Sequence, residues 1–362
     1  MLLQTIRGFC LLLCAALAAP VLHGATFEEL AARASAARES DQVPQAIDLY
    51  QQALQLKPDW SEGWFYLGTL YYDSDRYPDA QQSFSHFVQL RDTPGGWAFL
   101  GLCEFETGAY PAAQEHLRQA VERGVPAEID QVARLHEALL LTRMGLFEQA
   151  RHWYERLVRG GSHDPTLIAG LGLNALDRPQ LPREIPADQR AMVNAAGQTV
   201  SAWLAGDPSA AAAFQTLLKA YPDAAGMHAL YAAYLYAAHP EDAMAELRRE
   251  LHGNPKNAEA RAMLALLLLQ AGKRAEAAAE AAQAVADGPA SAEAQFACAQ
   301  TIGDFHQAAV HLESAVRLDP ANLDFHIALA HVYAEIGRDA DSRRERTISI
   351  QLARQSDPRQ PG

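Results

Sequence analysis

The pair His136-Glu137 comes closest to a known catalytic pattern in this sequence. In the pattern H-E-x-x-H, one face of a helix supplies two histidine ligands for zinc, and the glutamate acts as a general base. A leucine, Leu140, stands where the second histidine is needed. Because the site lacks a ligand, an ordinary helix surface explains His136 better than a zinc centre does.

Two other stretches resemble a catalytic triad and a dinucleotide-binding loop in residue types but not in the geometry that such sites need. Ser162, His163 and Asp164 are adjacent in the sequence GGSHDP. A nucleophilic triad needs groups that converge from separate elements, so we expect a turn in which Asp164 caps the next helix. The stretch GLGLNA at 170–175 approximates a dinucleotide-binding loop, which must follow a strand and open a helix. Its glycines are better explained by close packing between helices.

Four histidines near the C-terminus are candidate metal ligands. They form two pairs with i, i+5 spacing, which places the rings of each pair about 140° apart around a helix. The four are His306, His311, His326 and His331. Since no Cys-x-x-Cys or Cys/His ligand set accompanies them, the sequence predicts no metal, no cofactor and no catalytic residue.

Composition narrows the class of partner. The chain has 362 residues, is 49% hydrophobic and 20% charged, and has a formal net charge of −14. An acidic surface repels phosphate backbones, so nucleic acid is not an expected partner. Alanine and leucine outnumber valine and isoleucine, which favours helices over strands.

Residues 1–25 resemble a secretory signal peptide. Arg7 precedes an apolar run from Gly8 to Ala19, which is too short to span a bilayer comfortably. Ala16 and Ala18 are the small residues that a signal peptidase site requires. Cleavage is therefore expected after Ala18, and the mature protein is expected to be periplasmic or secreted.

Two alternatives at the N-terminus stay open. A second cleavage site lies after Ala25. Val21 and Leu22 extend the apolar run, so the segment also fits a signal anchor that stays in the inner membrane with the chain facing the periplasm. The protein would then touch the membrane only through this uncleaved segment.

An internal repeat organises the rest of the chain. WFYLGTLYY at 64–72 recurs in outline as WAFLGLCEF at 97–105, with W-x-x-L-G in both, 33 residues apart. A turn and a second helical stretch follow each, DRYPDAQQSFSHF and GAYPAAQEHLRQA. In these second stretches, apolar residues recur at i, i+4 and i+7, which places them on one helix stripe.

This pattern resembles the tetratricopeptide repeat (TPR), a helix-turn-helix unit of about 34 residues with W-x-x-L-G-x-x-Y, A-x-x-x-F-x-x-A and a closing proline. The residues that match the repeat core are Trp64, Leu67, Gly68, Tyr71, Ala80 and Phe84, followed by Trp97, Leu100 and Gly101. The resemblance implies an all-α fold: a TPR-type solenoid, wound as a right-handed superhelix, of about nine helix pairs interrupted by a Pro-rich linker. Left-handed glycines are expected at the turns, at Gly108, Gly145, Gly272 and Gly337.

The repeat spacing breaks once. The interval from Pro165 to Pro222 is too long for one repeat and too short for two, and Pro179, Pro182 and Pro186 prevent a continuous helix between them. We expect an orphan helix and then a linker that acts as a hinge or a rigid bend. The predicted domains are an N-terminal array of about four repeats at 26–164, the orphan helix and linker at 165–186, a C-terminal array of about five repeats with a polar cap at 187–355, and a disordered tail at 356–362.

A second stripe on the first helix of each pair lines the concave groove in TPR arrays. By that resemblance the predicted peptide-binding groove contains Phe65, Thr69, Tyr72, Leu102, Phe105, Leu135 and Leu139. Such a groove suits an apolar peptide or an amphipathic helix. The alternative is that neighbouring helices cover the stripe. The basic clamp of TPR domains that bind chaperone tails is not matched.

The sequence thus predicts an exported, non-enzymatic TPR scaffold whose partners are other proteins, acting in cell-envelope assembly or secretion. The alternative is a membrane-anchored accessory subunit of an envelope enzyme complex, such as one for cytochrome maturation or for glycan synthesis or export. Neither hypothesis includes a small-molecule substrate.

The N-terminal segment yields a prediction that mass spectrometry can check. Protein purified from its native host should begin at Ala19, or at Thr26 if the second site is used, as measured by intact mass. Cleavage removes Arg7 and no acidic residue, so the mature chain should also be slightly more acidic. A protein that keeps residues 1–25 would contradict cleavage and favour the anchor.

Overall fold

A computed structural model describes residues 25–355, and all regular structure in this range is helical. The signal-peptide prediction and the predicted tail therefore lie outside the described residues. Within them, no helix has both the length and the apolar character needed to cross a bilayer. The α-helices are α1 (Phe27–Glu39), α2 (Val43–Leu56), α3 (Ser61–Asp73), α4 (Tyr77–Leu90), α5 (Pro94–Glu106), α6 (Tyr110–Arg123), α7 (Ala127–Arg143), α8 (Phe147–Arg159), α9 (Pro165–Ala175), α10 (Arg190–Leu204), α11 (Ala210–Ala220), α12 (Met227–Leu235), α13 (Pro240–Gly253), α14 (Ala258–Gln270), α15 (Arg274–Asp287), α16 (Ala292–Thr301), α17 (Phe305–Leu318), α18 (Leu323–Glu335) and α19 (Asp339–Gln355).

These helices form two compact units, one that ends at Asp92 and one that begins at Thr93. In the first unit α1 packs on α2 and α3 on α4. In the second, hairpin partners are α5 and α6, α7 and α8, α12 and α13, α14 and α15, α16 and α17, and α18 and α19. The predicted all-α solenoid of helix pairs is confirmed, and the predicted linker region at 165–186 lies inside the second unit.

Small residues on the first helix of a pair let the second helix come close. A Cβ added at Gly68 would lie 2.9 Å from the ring of the fully buried Phe84, and one at Gly101 would lie 2.8 Å from Leu117. The alanines that flank these large residues on the second helices, such as Ala80 and Ala113, are also fully buried. The W-x-x-L-G and A-x-x-x-F patterns are therefore the two sides of one interhelical contact.

Most residues predicted for the repeat core are buried, and the two tryptophans are the exception. Trp64 and Trp97 are only partly buried. The indole N–H of Trp64 donates to the carbonyl oxygen of Pro58 (2.8 Å), and its ring stacks on His86, with 4.3 Å between ring centres. The tryptophan thus ties the start of its helix to the preceding turn while one edge stays accessible.

The predicted left-handed turns are confirmed. The four glycines have φ angles between 74° and 81°; they are Gly108, Gly145, Gly272 and Gly337. At the equivalent turns of the first two hairpins, aspartates take the left-handed conformation instead, Asp41 with φ 56° and Asp75 with φ 57°. Aspartate tolerates this region better than most residues, because its short polar side chain can bond locally.

The helix predicted to be an orphan, α9, has a partner. It packs against α10 through two glycines that bring the backbones together: a Cβ on Gly172 would overlap the carbonyl oxygen of Val193, and one on Gly197 would overlap that of Ile168. Sequence spacing concealed this pairing because an insertion separates the two helices. The glycines of 170–175 serve helix packing, as expected.

The Pro-rich insertion folds back onto its own unit. It contains a short 3₁₀ helix, Pro182–Glu184, flanked by Leu181, which is fully buried, and Ile185, which is 4% exposed. Arg143 on α7 forms an ion pair with Glu184 (Nε to Oε1, 3.2 Å). The segment is therefore docked against the surface of α5, α7 and α9 instead of running free between two arrays.

The glycine contact between α9 and α10 can be tested by adding one methyl group. Gly172→Ala or Gly197→Ala should each lower the free energy of unfolding by about 1–3 kcal/mol, because the helices must move apart to accept the Cβ. Gly253→Ala is the matched control, since nothing lies within 4 Å of a Cβ at that helix end. It should be neutral or slightly stabilising. Equal melting temperatures for all three variants would contradict the close approach.

Candidate functional site

One face of α3 in the N-terminal unit stays partly open to solvent. Phe65, Thr69 and Tyr72 lie on the same stripe at helical spacing, and all three are partly exposed. Phe65 is supported from below by Phe87, with 5.2 Å between ring centres, and Tyr72 packs edge-on against Tyr77 at 5.4 Å. These ring contacts hold Phe65 and Tyr72 in place, and each side chain keeps part of its surface exposed. We call these three residues the α3 stripe.

The other four predicted groove residues belong to the second unit, where they are less accessible. Leu102 is 2% exposed, Phe105 5% and Leu139 1%, whereas Leu135 is partly exposed. Neighbouring helices cover the stripe at these positions, as the alternative to an open groove anticipated. Leu102, Phe105 and Leu139 are therefore packing residues in this structure.

Arg183 of the Pro-rich insertion covers Phe105. Its guanidinium carbon lies 5.0 Å from the centre of the Phe105 ring, and its Nη2 donates to the Phe105 carbonyl oxygen (3.0 Å) and to the Tyr110 hydroxyl (3.0 Å). Nη1 forms an ion pair with Glu106 at 3.0 Å. The insertion thus occupies part of the surface that the sequence assigned to a partner. Sequence reasoning missed Arg183, because its partners lie more than 70 positions earlier in the chain.

The histidine of the zinc-like pair on α7 bonds to its own helix. His136 donates from Nδ1 to the carbonyl oxygen of Val132 (2.8 Å), and burial lowers the pKa of its imidazole. Glu137 is 4% exposed, and burial raises its pKa to about 7. In residues 25–355 no three histidine, cysteine, aspartate or glutamate side chains are arranged to hold a metal ion.

Other motif-like residues also have structural roles. Asp164 accepts the amide N–H of Thr166 (2.6 Å) and so caps α9, as predicted. The C-terminal histidines bond to different partners: His311 contacts Gln295, and His326 contacts Glu345, both at 2.7 Å. These histidines therefore do not converge on one ligand.

A long-range contact joins α8 to the far end of the second unit. Gln149 donates from Nε2 to the carbonyl oxygen of Leu318 (2.5 Å), and His152 Nε2 lies 3.3 Å from Asp319 Oδ2. The partners are 169 and 167 positions apart in the chain. Residues 93–355 therefore fold back far enough for α8 to meet the turn between α17 and α18. We call these two hydrogen bonds the α8 contact.

Four more carboxyl groups interact electrostatically with one another and with the elements of the α8 contact. Asp177 follows α9, Glu259 and Glu293 lie in the first turns of α14 and α16, and Glu148 precedes Gln149 on α8. The charge of Arg151 acts on all four, and its Nη2 is 3.9 Å from Glu259 Oε2. Together with Asp319 they make up what we call the carboxyl cluster: Glu148, Asp177, Glu259, Glu293 and Asp319.

The crowding of these acids changes their protonation. Burial raises the pKa of Glu148, Asp177 and Glu293 to about 7 each; burial and then repulsion from Asp177 raise that of Glu259 to about 8. Arg151 opposes all four shifts. The N-terminal dipoles of α14 and α16 also oppose them, but by only ~0.3–1 kcal/mol, less than one pKa unit. Because a quarter of the Glu259 side chain remains exposed, solvent screens part of the effect.

A raised pKa favours the neutral form of a carboxyl group but the charged form of the His152 imidazole. Its hydrogen bond to Asp319, whose side chain is fully buried, raises the pKa of the imidazole. A protonated His152 therefore strengthens the α8 contact. No local sequence motif marks this cluster, because its members come from five separate parts of the chain.

Comparison with known proteins agrees with the repeat pattern. Two models described as tetratricopeptide repeat match the sequence, one at residues 303–345 and the other at 31–91, 67–128, 100–165 and 233–294. The second model alone covers more than half of the chain. No curated protein matches the sequence.

Among solved structures the chain is similar to MamA from Desulfovibrio magneticus RS-1, with 16% identity and a TM-score of 0.36 over 48% of this chain and 98% of MamA. It is also similar to a chain of the APC/C hetero-tetramer Cut9-Hcn1, with 13% identity and a TM-score of 0.40 over 90% of this chain and 66% of that one. Yeast Tom70 matches with 13% identity and a TM-score of 0.31 over 92% and 97%. On the strength of the repeat-model matches, this chain belongs to the tetratricopeptide repeat family.

Proposed function

We propose that this protein is an exported, non-enzymatic TPR scaffold that binds other proteins during assembly or secretion at the cell envelope. The α3 stripe carries the proposal, since Phe65, Thr69 and Tyr72 are all partly exposed on one helix face and Phe65 packs on Phe87. The signal-peptide-like residues 1–25 favour export to the periplasm or beyond. The motif-like residues described above serve packing and capping, which also favours binding over catalysis.

The binding mode follows from the geometry of α3. An amphipathic helix or apolar segment laid on the stripe would bury aromatic surface at about 25 cal/mol per Å². Because Phe65 and Tyr72 are already held by Phe87 and Tyr77, little side-chain freedom is lost on binding. The binding free energy from the buried contact would then not be offset by an entropic cost of ordering the side chains of the α3 stripe.

A second candidate function rests on the length of the N-terminal apolar run. Val21 and Leu22 prolong it beyond Pro20, which suits a retained membrane anchor. The same α3 stripe would then serve an accessory subunit of an envelope enzyme complex. The intact-mass measurement separates the two locations, and the binding experiment below applies to both.

Crosslinking followed by mass spectrometry in the native host would identify the partner, which can then be purified for binding measurements. Thr69→Ala combined with Tyr72→Ala should weaken its Kd at least tenfold, because the accessible part of the stripe is removed. The melting temperature should change little, since neither side chain is fully buried.

The matched control removes two apolar side chains of the same unit that lie off the stripe. Leu56 is 57% exposed and Leu90 45%, so Leu56→Ala with Leu90→Ala should leave both Kd and melting unchanged. If the two double variants bind the partner equally well, the α3 stripe is not the docking surface.

A further inference from the structure

We propose that the α8 contact is a pH-dependent latch, closed in acid and open in base, which sets how tightly residues 93–355 fold back on themselves. This inference goes beyond the proposed function, because it concerns the shape of the free chain and needs no partner.

The latch is made of polar contacts on an otherwise apolar architecture. Consecutive helices of the unit pack through buried alanines, leucines and aromatics, whose contacts do not depend on pH. In contrast, α8 meets the distant turn through Gln149 and His152, with His152 still 44% exposed. Two hydrogen bonds of this kind are a small fraction of the unit's stability, so the contact can open without unfolding the hairpins.

Acids outnumber bases around the latch. On α8 the charged groups are Glu148, Arg151, His152, Glu155, Arg156 and Arg159. The groups that act on them from other elements are all acids: Asp177 after α9, Glu250 on α13, Glu259 on α14, Glu293 on α16, Asp319 in the turn and Asp324 on α18. When all the acids ionise, the four cations of α8 cannot balance the negative charge, and repulsion pushes the two sides apart.

The direction of the pH effect follows from proton linkage. Opening returns the carboxyls of Glu148, Glu259 and Glu293 to water, where their pKa falls back towards about 4.3, so the closed form binds more protons. Closure is therefore fully favoured below about pH 4.3, the open-form pKa, and this stabilisation is lost as pH rises from there through about 7 to 8, the raised values in the closed form. His152 has the same sign, because its pKa is raised by Asp319 in the closed form.

Distances between spin labels on either side of the latch test the proposal in the full chain. The labels are attached at Arg156→Cys on α8 and at Ala321→Cys in the turn between α17 and α18, both of which are exposed positions. The native Cys103 and Cys298 are buried with raised pKa values, so they should resist labelling. Cys10 and Cys14 are replaced by serine.

At pH 6 we expect a single short distance between the two spin labels. At pH 9 we expect a second population with a longer distance, and a closed-to-open ratio at least tenfold lower than at pH 6. Glu259→Gln with Glu293→Gln should keep the short distance at pH 9, because the cluster loses two negative charges. Glu241→Gln with Glu276→Gln is the matched control: both residues are exposed and lie in the first turn of a helix outside the cluster, so this variant should open like the parent.

Three results would overturn the latch. The first is an unchanged distance distribution between pH 6 and pH 9. The second is a Glu259/Glu293 variant that opens as readily as its control. The third is a loss of helical circular dichroism that accompanies the longer distance, because the change would then be unfolding and not opening.

Discussion

The fold depends on the contact between a small residue on one helix and a large residue on the next. Phe84 fills the space that Gly68 leaves, and Leu117 fills the space that Gly101 leaves. A single hairpin cannot cover the remaining apolar surface of these helices, so each hairpin needs its neighbours. Stability in such an array is local and additive, which allows one part of the chain to carry an insertion or a charged contact without loss of the rest.

The sequence was sufficient for everything that follows from short-range periodicity. W-x-x-L-G at two positions, the second-helix alanines and the turn glycines together predicted the helix pairs, most of the buried repeat residues and the left-handed φ at Gly108 and Gly145. Each of these features depends on neighbours within one repeat. The pairing of α9 with α10 was missed because its two glycines are separated by an insertion that hides the repeat.

The accessible surface could not be deduced in the same way. Tyr72 and Phe105 hold equivalent positions in their repeats, 33 residues apart, yet Tyr72 is partly exposed and Phe105 is covered by Arg183, which arrives from a distant segment. The carboxyl cluster likewise unites residues as far apart as Glu148 and Asp319. The local sequence pattern determines the hairpins. Contacts between distant segments determine which helix faces stay exposed to a partner and which are covered by other parts of the same chain.

The claim that each hairpin is stabilised by its immediate neighbours is tested most directly by hydrogen exchange in a Leu117→Ala variant. The side chain is fully buried against Gly101 of its own hairpin, and its loss should cost about 2–5 kcal/mol. We predict that protection falls in α5, α6 and the stacked α7, while α14 to α19 keep theirs. A uniform loss of protection from α5 to α19 would contradict the account, because it would show one cooperative core in place of a chain of neighbour contacts.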